Sequence, residues 1–332
     1  MKSKTRILIL GLGAALVAAI GSTSASPAPA KQLRFTIAVA QITDTYFQTM
    51  ICGAKAEAKK LGVSLNYQGA QQYDPSQLIP IVDAVFQTKP DGFIVAPSDP
   101  RALIPPVKRF VDAKIPVVTT DLPLQNDSRY SLRSYISNNY LHGKLAGQAI
   151  VKLFPDPKKI VALGIDVQPG LIQTNDRVRG WYDAITAAGG TALKVQYTQD
   201  DPSKSQQVVE AELRGNPKLN AIMFIDGLTG DGGRTAIKLL NKVGKVKVAE
   251  FEGASSQQLR ALNVGAIDAL VGQEPYFMGS GAVKTLYDFI TTHKKPPYAV
   301  RQLGARILTK ANIGLPSSQP YILYGFKTKG CQ

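Results

Sequence analysis

Residues 221–240, AIMFIDGLTGDGGRTAIKLL, have the outline of a phosphate-binding loop: an apolar run, a glycine-rich turn and a helical pattern. A P-loop requires G-x-x-x-x-G-K-[ST], in which the lysine reaches the phosphates and the hydroxyl holds magnesium. If Thr235 takes the hydroxyl position, Arg234 replaces the lysine and Leu228 replaces the first glycine. Asp226 at the start of the loop would repel phosphate. The stretch is therefore not predicted to bind a nucleotide.

Carboxylates directly follow three apolar runs, at Asp121, Asp226 and Glu252. Such residues can accept hydrogen bonds from a ligand, or they can cap the next helix. The capping interpretation is favoured for Asp44, Asp74 and Ser203. For Asp121, Asp226 and Glu252, we favour a role in lining a binding site. The histidines His142 and His293 lie far apart on predicted helices and are expected at the surface. The sequence shows no Ser-His-Asp set and no metal cluster, so we expect no catalytic residues, no metal and no cofactor.

These side chains must be positioned by alternating strands and helices. The predicted strands are 34–40, 63–68, 91–96, 115–120, 159–165, 192–198, 221–226, 246–251 and 266–271. The predicted helices are 46–61, 76–88, 101–113, 140–153, 177–188, 203–214, 233–243 and 275–292. Strands that alternate with helices of this length form parallel sheets. Because nine strands exceed one comfortable wound sheet, we expect two similar α/β lobes, with ligands bound beyond the carboxyl ends of the strands.

The first thirty residues have the pattern of a secretory signal. Lys2, Lys4 and Arg6 precede an apolar run from Ile7 to Ile20, and small residues and prolines follow. The alternative is an uncleaved membrane anchor, but such a run makes about 21 Å of helix against a hydrocarbon core of about 30 Å. We therefore expect cleavage, no stable membrane insertion and a periplasmic location in a double-membraned bacterium.

Charge and cysteine content narrow the possible partners. The formal charge is +15, and removal of the three signal cations leaves about +12. The lysines are scattered along helices without interleaved aromatics, so no nucleic acid is expected. Export permits a disulfide, and Cys52 and Cys331 are the only cysteines. Cys52 lies off the apolar stripe of its helix and is expected to be exposed, so it either pairs with Cys331 or both thiols are free.

Several motifs, in order along residues 33–310, resemble the ribose-binding group of periplasmic sugar-binding proteins of ABC transporters. They are TDTYF with GAKAEAKKLG, DGFIVAPSD, IPVVTTD, SNNYLHGKLAG, NDRVRGW, VAEFEG and VGQEP. The resemblance implies two lobes joined by three crossover strands that close on a ligand by hinge motion. It implies a first lobe of 31–136 with 275–304 and a second lobe of 137–274 with 305–332. The tail after about residue 311 is longer than is usual in the family.

The same resemblance implies a set of ligand contacts in the cleft. Carboxylates would accept hydrogen bonds, aromatic rings would lie against the ring of a sugar, and the planar fork of an arginine would bind adjacent oxygens. The implied contacts are Asp44, Tyr46, Phe47, Asp121, Ser137, Asn138, Arg177, Asp200, Asp226, Glu252 and Gln273.

Three positions depart from the pattern of ribose binders. Leu122 stands where they have an arginine, Ala96 where they have asparagine, and Asp200 near the usual second-lobe aromatic. Trp181 is expected to pack in the core rather than to replace that aromatic. The site therefore has an excess of carboxylates, which an amine on the ligand, a calcium ion or raised pKa values could each compensate. Ribose itself is doubtful, and another sugar, a polyol or a cationic metabolite remains open.

The leading hypothesis is a monomeric, non-enzymatic binding protein that captures a small polar solute and delivers it to an ABC transporter permease. A second hypothesis is that the ligand-loaded protein binds a chemoreceptor or a sensor kinase. The sequence does not distinguish this signalling role from the transport role. A third is an exported enzyme in which Asp226 and Glu252 act as an acid–base pair. Product release from a glycoside would favour the enzyme, and its absence would favour the binding protein.

Overall fold

The structure is a computed structural model that describes Met1, residues 32–253, residues 255–323 and Cys331. It divides into two compact units, Met1–Gln32 and Leu33–Gln332. Apart from Met1, the predicted signal segment 1–30 lies outside the described residues, so the signal and its cleavage stay predictions. The helices and strands described below all belong to the second unit.

Strands and helices alternate along the chain. In order they are β1 Arg34–Val39, α1 Thr45–Leu61, β2 Ser64–Gly69, α2 Pro75–Gln87, β3 Gly92–Val95, α3 Ile104–Asp112, β4 Val117–Asp121, β5 Ser134–Ser137, α4 Asn139–Val151, β6 Val161–Asp166, α5 Ile172–Ala187, β7 Thr191–Ala192, β8 Gln196–Tyr197, α6 Pro202–Gly215, β9 Ala221–Phe224, α7 Gly227–Leu239, β10 Lys247–Glu252, α8 Ser256–Asn263, β11 Ala269–Gly272, α9 Pro275–Thr292, β12 Val300–Leu303 and β13 Arg306–Leu308. A 3₁₀ helix at Pro316–Tyr321 follows.

The strands form two separate sheets, as the two-lobed α/β prediction requires. The first sheet has the order β12-β5-β4-β3-β1-β2, and all its strands are parallel. The second has the order β13-β11-β10-β9-β6-β7, with β8 also paired to β6. Only β13 runs antiparallel among the described strands of that sheet. The central strands β3 and β9 are wholly buried, because helices cover both faces of such sheets. The predicted fold class is confirmed.

Each sheet carries its own helices and its own core. Helices α1, α2, α3 and α9 pack on the first sheet or on one another, and α4 to α8 pack in the same way around the second. We call these two sets of elements the first lobe and the second lobe. The largest fully buried side chains are shared between the lobes, with Phe35 and Phe93 in the first and Trp181 and Phe224 in the second. The expectation that Trp181 packs in the core is confirmed.

The chain passes between the two sheets three times, after β5, after β11 and between β12 and β13. The strands at these crossings, β5, β12 and β13, are absent from the sequence-predicted strands. They are short, and β12 is mostly exposed, so they lack the apolar runs that mark the central strands. The exact lobe boundaries predicted from the resemblance stay predictions.

Four other sequence predictions of local structure are wrong. The predicted strand 192–198 is two short strands, β7 and β8, with residues 193–195 between them. Helix α5 begins at Ile172 rather than at 177, and α7 begins at Gly227 rather than at 233. Helix α6 is capped by Asp201 rather than by Ser203. In the last three cases an N-cap or first turn lies earlier than the apolar periodicity indicates.

Two side chains expected at the surface are buried. Cys52 is 2 % exposed because α1 is covered on a second side by α9, where Gly53 lies against the backbone of Tyr276. The apolar stripe of α1 indicates only one packing side of the helix, so the sequence does not reveal the second side, on which α9 packs. His142 is fully buried where α4 packs against α5 and the second sheet, and burial lowers its pKa to about 4. His293, by contrast, lies exposed at the end of α9.

Candidate functional site

Polar side chains from both lobes meet at the carboxyl ends of the parallel strands. Asp44 and Asp121 come from the first lobe, and the charges of Asp226 in the second lobe and of Asp121 both act on Asp44. Arg177 of the second lobe acts in turn on Asp121. Because charges interact strongly only at short range in water, these contacts place the strand ends in one cleft between the lobes.

The first-lobe wall is built on the start of α1. Asp44 is the N-cap of this helix and accepts a hydrogen bond from the Tyr46 N–H at 2.8 Å. The Tyr46 hydroxyl donates to Asp121 Oδ1 at 3.0 Å, which joins the first loop to the end of β4. Tyr46 and Phe47 are both buried and lie edge to face, with ring centroids 5.3 Å apart. The capping and site-lining interpretations are thus compatible for Asp44.

Tyr73 is a residue of this wall that the sequence analysis missed. Its ring lies 6.4 Å from Phe47 and it is 37 % exposed, so it offers more aromatic surface than either predicted aromatic. The side chain of Tyr73 forms a hydrogen bond with Gln173 of α5 and lies within range of the charges of Asp121 and Arg177. Tyr73 therefore reaches across to the second lobe. Its only signal in the sequence is an aromatic residue in a polar loop.

The second-lobe wall holds Arg177 in a fixed position. Its Nε donates to Asn139 Oδ1 at 2.9 Å, and its Nη1 donates to the Ile225 carbonyl at 3.0 Å. The guanidinium also lies over the Phe251 ring, 5.3 Å from the centroid. A planar fork that is already oriented loses little entropy when it binds a further acceptor. Asn139, the first residue of α4, is a positioning residue that the sequence analysis did not identify.

The carboxylates of the second lobe are held by backbone N–H groups. Asp226 Oδ1 accepts from the Thr229 N–H at 2.8 Å, in a capping box at the start of α7. Glu252 Oε2 accepts from the Gly227 N–H at 3.0 Å. Asp200 lies close to Asp226, and the two interact directly. These three side chains and Arg177 complete the cluster that the resemblance implied.

Three of the cleft carboxylates lie on strained backbone. Asp121, Asp200 and Glu252 have φ angles of 63°, 60° and 106°. Positive φ costs on the order of 1–3 kcal/mol for a residue with a side chain, and such strain concentrates at functional sites.

Burial, followed by crowding of like charges, raises the pKa of several of these carboxyl groups. Burial, with the charges of Asp226 and Asp121, raises the pKa of Asp44 to about 6. Burial and the Asp226 carboxylate raise the pKa of Asp200 to about 9. Burial, with the charges of Asp44 and Asp226, raises the pKa of Glu252 well above its usual range. Some of these groups therefore keep a proton at neutral pH, and a protonated carboxyl can both donate to and accept from a hydroxyl.

The remaining predicted residues lie at the crossings between the lobes. Gln273 Nε2 donates to Ser137 Oγ at 2.8 Å, which links the first and second crossings. Asn138 caps α4 and donates from Nδ2 to Gln302 Oε1 at 2.8 Å, which links the first and third. Ser137 also interacts with Tyr46. The structure thus places these residues in the hinge, next to the cleft.

The glycine-rich stretch after β9 is helix rather than a phosphate loop. Gly232 of α7 lies against the backbone of Pro202, where a side chain would not fit. Arg234 is paired with Asp231 and Glu250 inside the second lobe. The glycines therefore allow close helix packing, and the arginine is not available for an anion. Among the described residues, no group of three or more His, Cys, Asp or Glu side chains is arranged to hold a metal.

A family model described as a periplasmic binding protein domain matches residues 35–295. The chain belongs to the periplasmic binding protein family. It is 29 % identical over 272 residues to the ribose import binding protein RbsB of Escherichia coli, with 80 % of this chain and 88 % of that protein covered. It is 25 % identical over 285 residues to the D-ribose/D-allose-binding protein of Pseudomonas aeruginosa, with 78 % and 88 % covered.

Solved structures of the family show the same fold. A solute-binding protein of an ABC transporter from Agrobacterium vitis, bound to α-D-tagatopyranose, superposes with a TM-score of 0.80 at 26 % identity, with 88 % of this chain and all of that chain covered. A carbohydrate transporter solute-binding protein from Agrobacterium radiobacter, in complex with D-arabinose, superposes with a TM-score of 0.79 at 25 % identity, with 88 % of this chain and 99 % of that chain covered. The predicted resemblance is confirmed, and the family consists of solute-binding proteins rather than enzymes. No helix within the described ranges has the length and apolar character to span a bilayer.

Proposed function

We propose that this protein captures one monosaccharide-sized, polyhydroxylated solute in the cleft between its lobes and delivers it to the permease of an ABC importer. The observation that supports this most directly is the single cluster of acceptors, donors and aromatic rings from both lobes. Relatives that bind ribose, allose, tagatose and arabinose share its fold. We further propose that the mature protein acts as a periplasmic monomer.

Each wall of the cleft has a distinct role in this proposal. Asp44, Asp121 and Glu252 accept hydrogen bonds from sugar hydroxyls, and Arg177 donates to an adjacent pair of oxygens. Tyr73 and Phe47 offer ring surface to the C–H face of the sugar. Ser137, Asn138 and Gln273 couple occupancy of the cleft to the hinge, because they bond one crossing to another.

The ligand can be identified by a thermal-shift screen of the mature protein. The panel contains D-ribose, D-allose, D-tagatose, D-arabinose, D-fucose, polyols and the amine-bearing D-glucosamine. A sugar at about a hundred times its dissociation constant adds roughly 2.7 kcal/mol to the free energy of unfolding. Because carboxylates outnumber Arg177 in the cleft, the amine arm tests whether the solute is cationic. A shift with a neutral sugar and none with the amine assigns a neutral ligand.

Arg177→Ala tests whether the cleft is the site. Loss of hydrogen bonds from a charged group costs about 1.5–3 kcal/mol, so affinity should fall roughly 10- to 100-fold by calorimetry. Arg179→Ala is the matched control, because Arg179 lies two residues away on the exposed side of α5, paired with Asp176. It should bind like the wild type. Equal affinity of both variants would place the site elsewhere.

A further inference from the structure

The C-terminal segment connects the two lobes a fourth time. Strand β13 belongs to the second sheet, and the 3₁₀ helix Pro316–Tyr321 follows it. Tyr321 and Ile322 pack against the core of the second lobe, whereas Leu323 is buried in the core cluster of the first lobe. Two adjacent residues, Ile322 and Leu323, therefore contact the cores of opposite lobes. We call residues 316–323 the strap.

The strap is fitted to the second lobe at two glycines. A Cβ on Gly272 would lie 2.6 Å from Tyr321 Cβ, and one on Gly253 would lie 2.8 Å from Leu323 Cγ. Real Cβ atoms do not approach other atoms this closely, so the backbone at both positions must be bare for the strap to fit. These glycines adjoin Gln273 and Glu252. The strap therefore rests on the ends of β10 and β11, which carry two of the cleft and hinge side chains.

A polar contact ties the same segment to the hinge. The Tyr321 hydroxyl interacts with the Glu274 carboxylate, which lies directly after the second crossing. Glu274 Oε2 also accepts from the Gly304 N–H, at the third crossing, at 3.1 Å. The strap thus contacts both strand ends and the second crossing, and Glu274 links it to the third crossing.

A disulfide fixes the far end of the segment to the first lobe. Cys331 is bonded to Cys52 of α1, with their Cα atoms 4.8 Å apart, and both are buried. Such a bond keeps Leu323 at high effective concentration near the first-lobe core. The family match ends at residue 295, so the strap and Cys331 lie beyond it.

We propose that the strap is a positioning element, which holds the ends of β10 and β11 and ties the second lobe to the first. When the lobes separate, Leu323 cannot keep its contacts with both Gly253 and the first-lobe core. Opening therefore costs the burial of this side chain, and the disulfide favours its return. The inference rests on the hinge motion of the proposed function, but not on the identity of the solute.

The test uses hydrogen exchange and small-angle scattering of the full mature chain without any sugar. Leu323→Ala and the Cys52→Ser/Cys331→Ser pair should each exchange about fivefold faster in peptides covering 247–253 and 269–274. Their radius of gyration should also exceed that of the wild type. Leu323→Met, which conserves volume, should restore the wild-type behaviour. The control is Leu315→Ala, a truncation at a half-exposed leucine just before the strap.

Two results would overturn the proposal. One is exchange at the two strand ends that is no faster in Leu323→Ala than in Leu315→Ala. The other is faster exchange in Leu323→Ala that is spread evenly over both lobes, including α2 and α6, because that pattern reports lost stability rather than lost positioning. The exchange and scattering measurements are made without sugar. Their outcome therefore does not depend on whether the binding screen supports the proposed function.

Discussion

Backbone N–H groups hold three carboxylates of the cleft in place, those of Asp44, Asp226 and Glu252, and this sets how each of the three can act. Asp44 and Asp226 each give one oxygen to the first turn of a helix, α1 or α7. A cap uses one oxygen and leaves the other directed away from the helix. The residues that begin these helices are therefore the same residues that can bind a solute. Asp44 can cap α1 with one oxygen and bind a ligand with the other, so the two roles do not exclude each other.

Replacing Asp200 tests the electrostatics of the cleft. Because the folded-state pKa of Asp200 is raised to about 9, the folded protein binds more protons than the unfolded chain between about pH 4 and pH 9. The free energy of unfolding must therefore fall as pH rises through that window. Asp200→Asn removes this loss and tolerates the positive φ of the position. We expect about 1–2 kcal/mol of added stability at pH 7 after allowance for solvent screening.

The measurement is urea unfolding of the ligand-free protein at pH 5, 7 and 9. The matched control is Asp288→Asn, which removes an exposed ion pair with Lys284 on α9 and should change stability by less than about 1 kcal/mol. If Asp200→Asn keeps the wild-type slope of stability against pH, the raised pKa does not belong to Asp200.

At the element scale, contact between helices α4 and α5 positions Arg177. Gly143 of α4 lies against the backbone carbonyl of Arg177, and Gly180 of α5 lies against the backbone of Tyr140. The two helices thus touch through their main chains. This contact explains why the guanidinium reaches Asn139, at the start of α4, as well as the end of β9.

Gly143→Ala is expected to displace α5 and to weaken binding. The added methyl has no room, so the helices must separate, at a cost of about 1–3 kcal/mol in stability. Arg177 should then move from the cleft, and affinity for the sugar that the screen identifies should fall at least about tenfold. Calorimetry and thermal unfolding check the two effects. Gly215→Ala, at the open end of α6, is the control and should be neutral or slightly stabilising.

The sequence predicts an element well when its own residue pattern records all the faces on which it is packed. Apolar runs such as AIMF in β9 are buried on both faces, so the central strands could be predicted. The hinge strands β5 and β12 are short, β12 is mostly exposed, and their pairing depends on contacts distant in sequence. The apolar periodicity of α1 indicates one packing face, whereas the helix has two, so the sequence predicts an exposed Cys52 that the structure buries. The family resemblance predicts the residues that cluster around Arg177, whereas it does not predict Tyr73.

At the scale of the whole molecule, one covalent bond closes almost the entire folded chain. Cys52 and Cys331 are 279 residues apart in sequence, and both lobes lie between them. A cross-link restricts the unfolded chain more when its loop is longer, and typical gains are about 2–4 kcal/mol. The bond should therefore contribute to stability independently of any role of the strap in positioning.

Reduction of this bond gives the last prediction. Cys52→Ser/Cys331→Ser should lower the free energy of unfolding by about 2–4 kcal/mol, which corresponds to a fall of several degrees in the thermal midpoint. Dithiothreitol should produce the same fall in the wild type and none in the double variant, because only the wild type has a bond to reduce. Leu323→Ala keeps the bond and should still respond to dithiothreitol, which separates the stabilising effect of the cross-link from the contacts of the strap. A wild-type midpoint that does not move under reducing conditions would show that the bond adds nothing to stability.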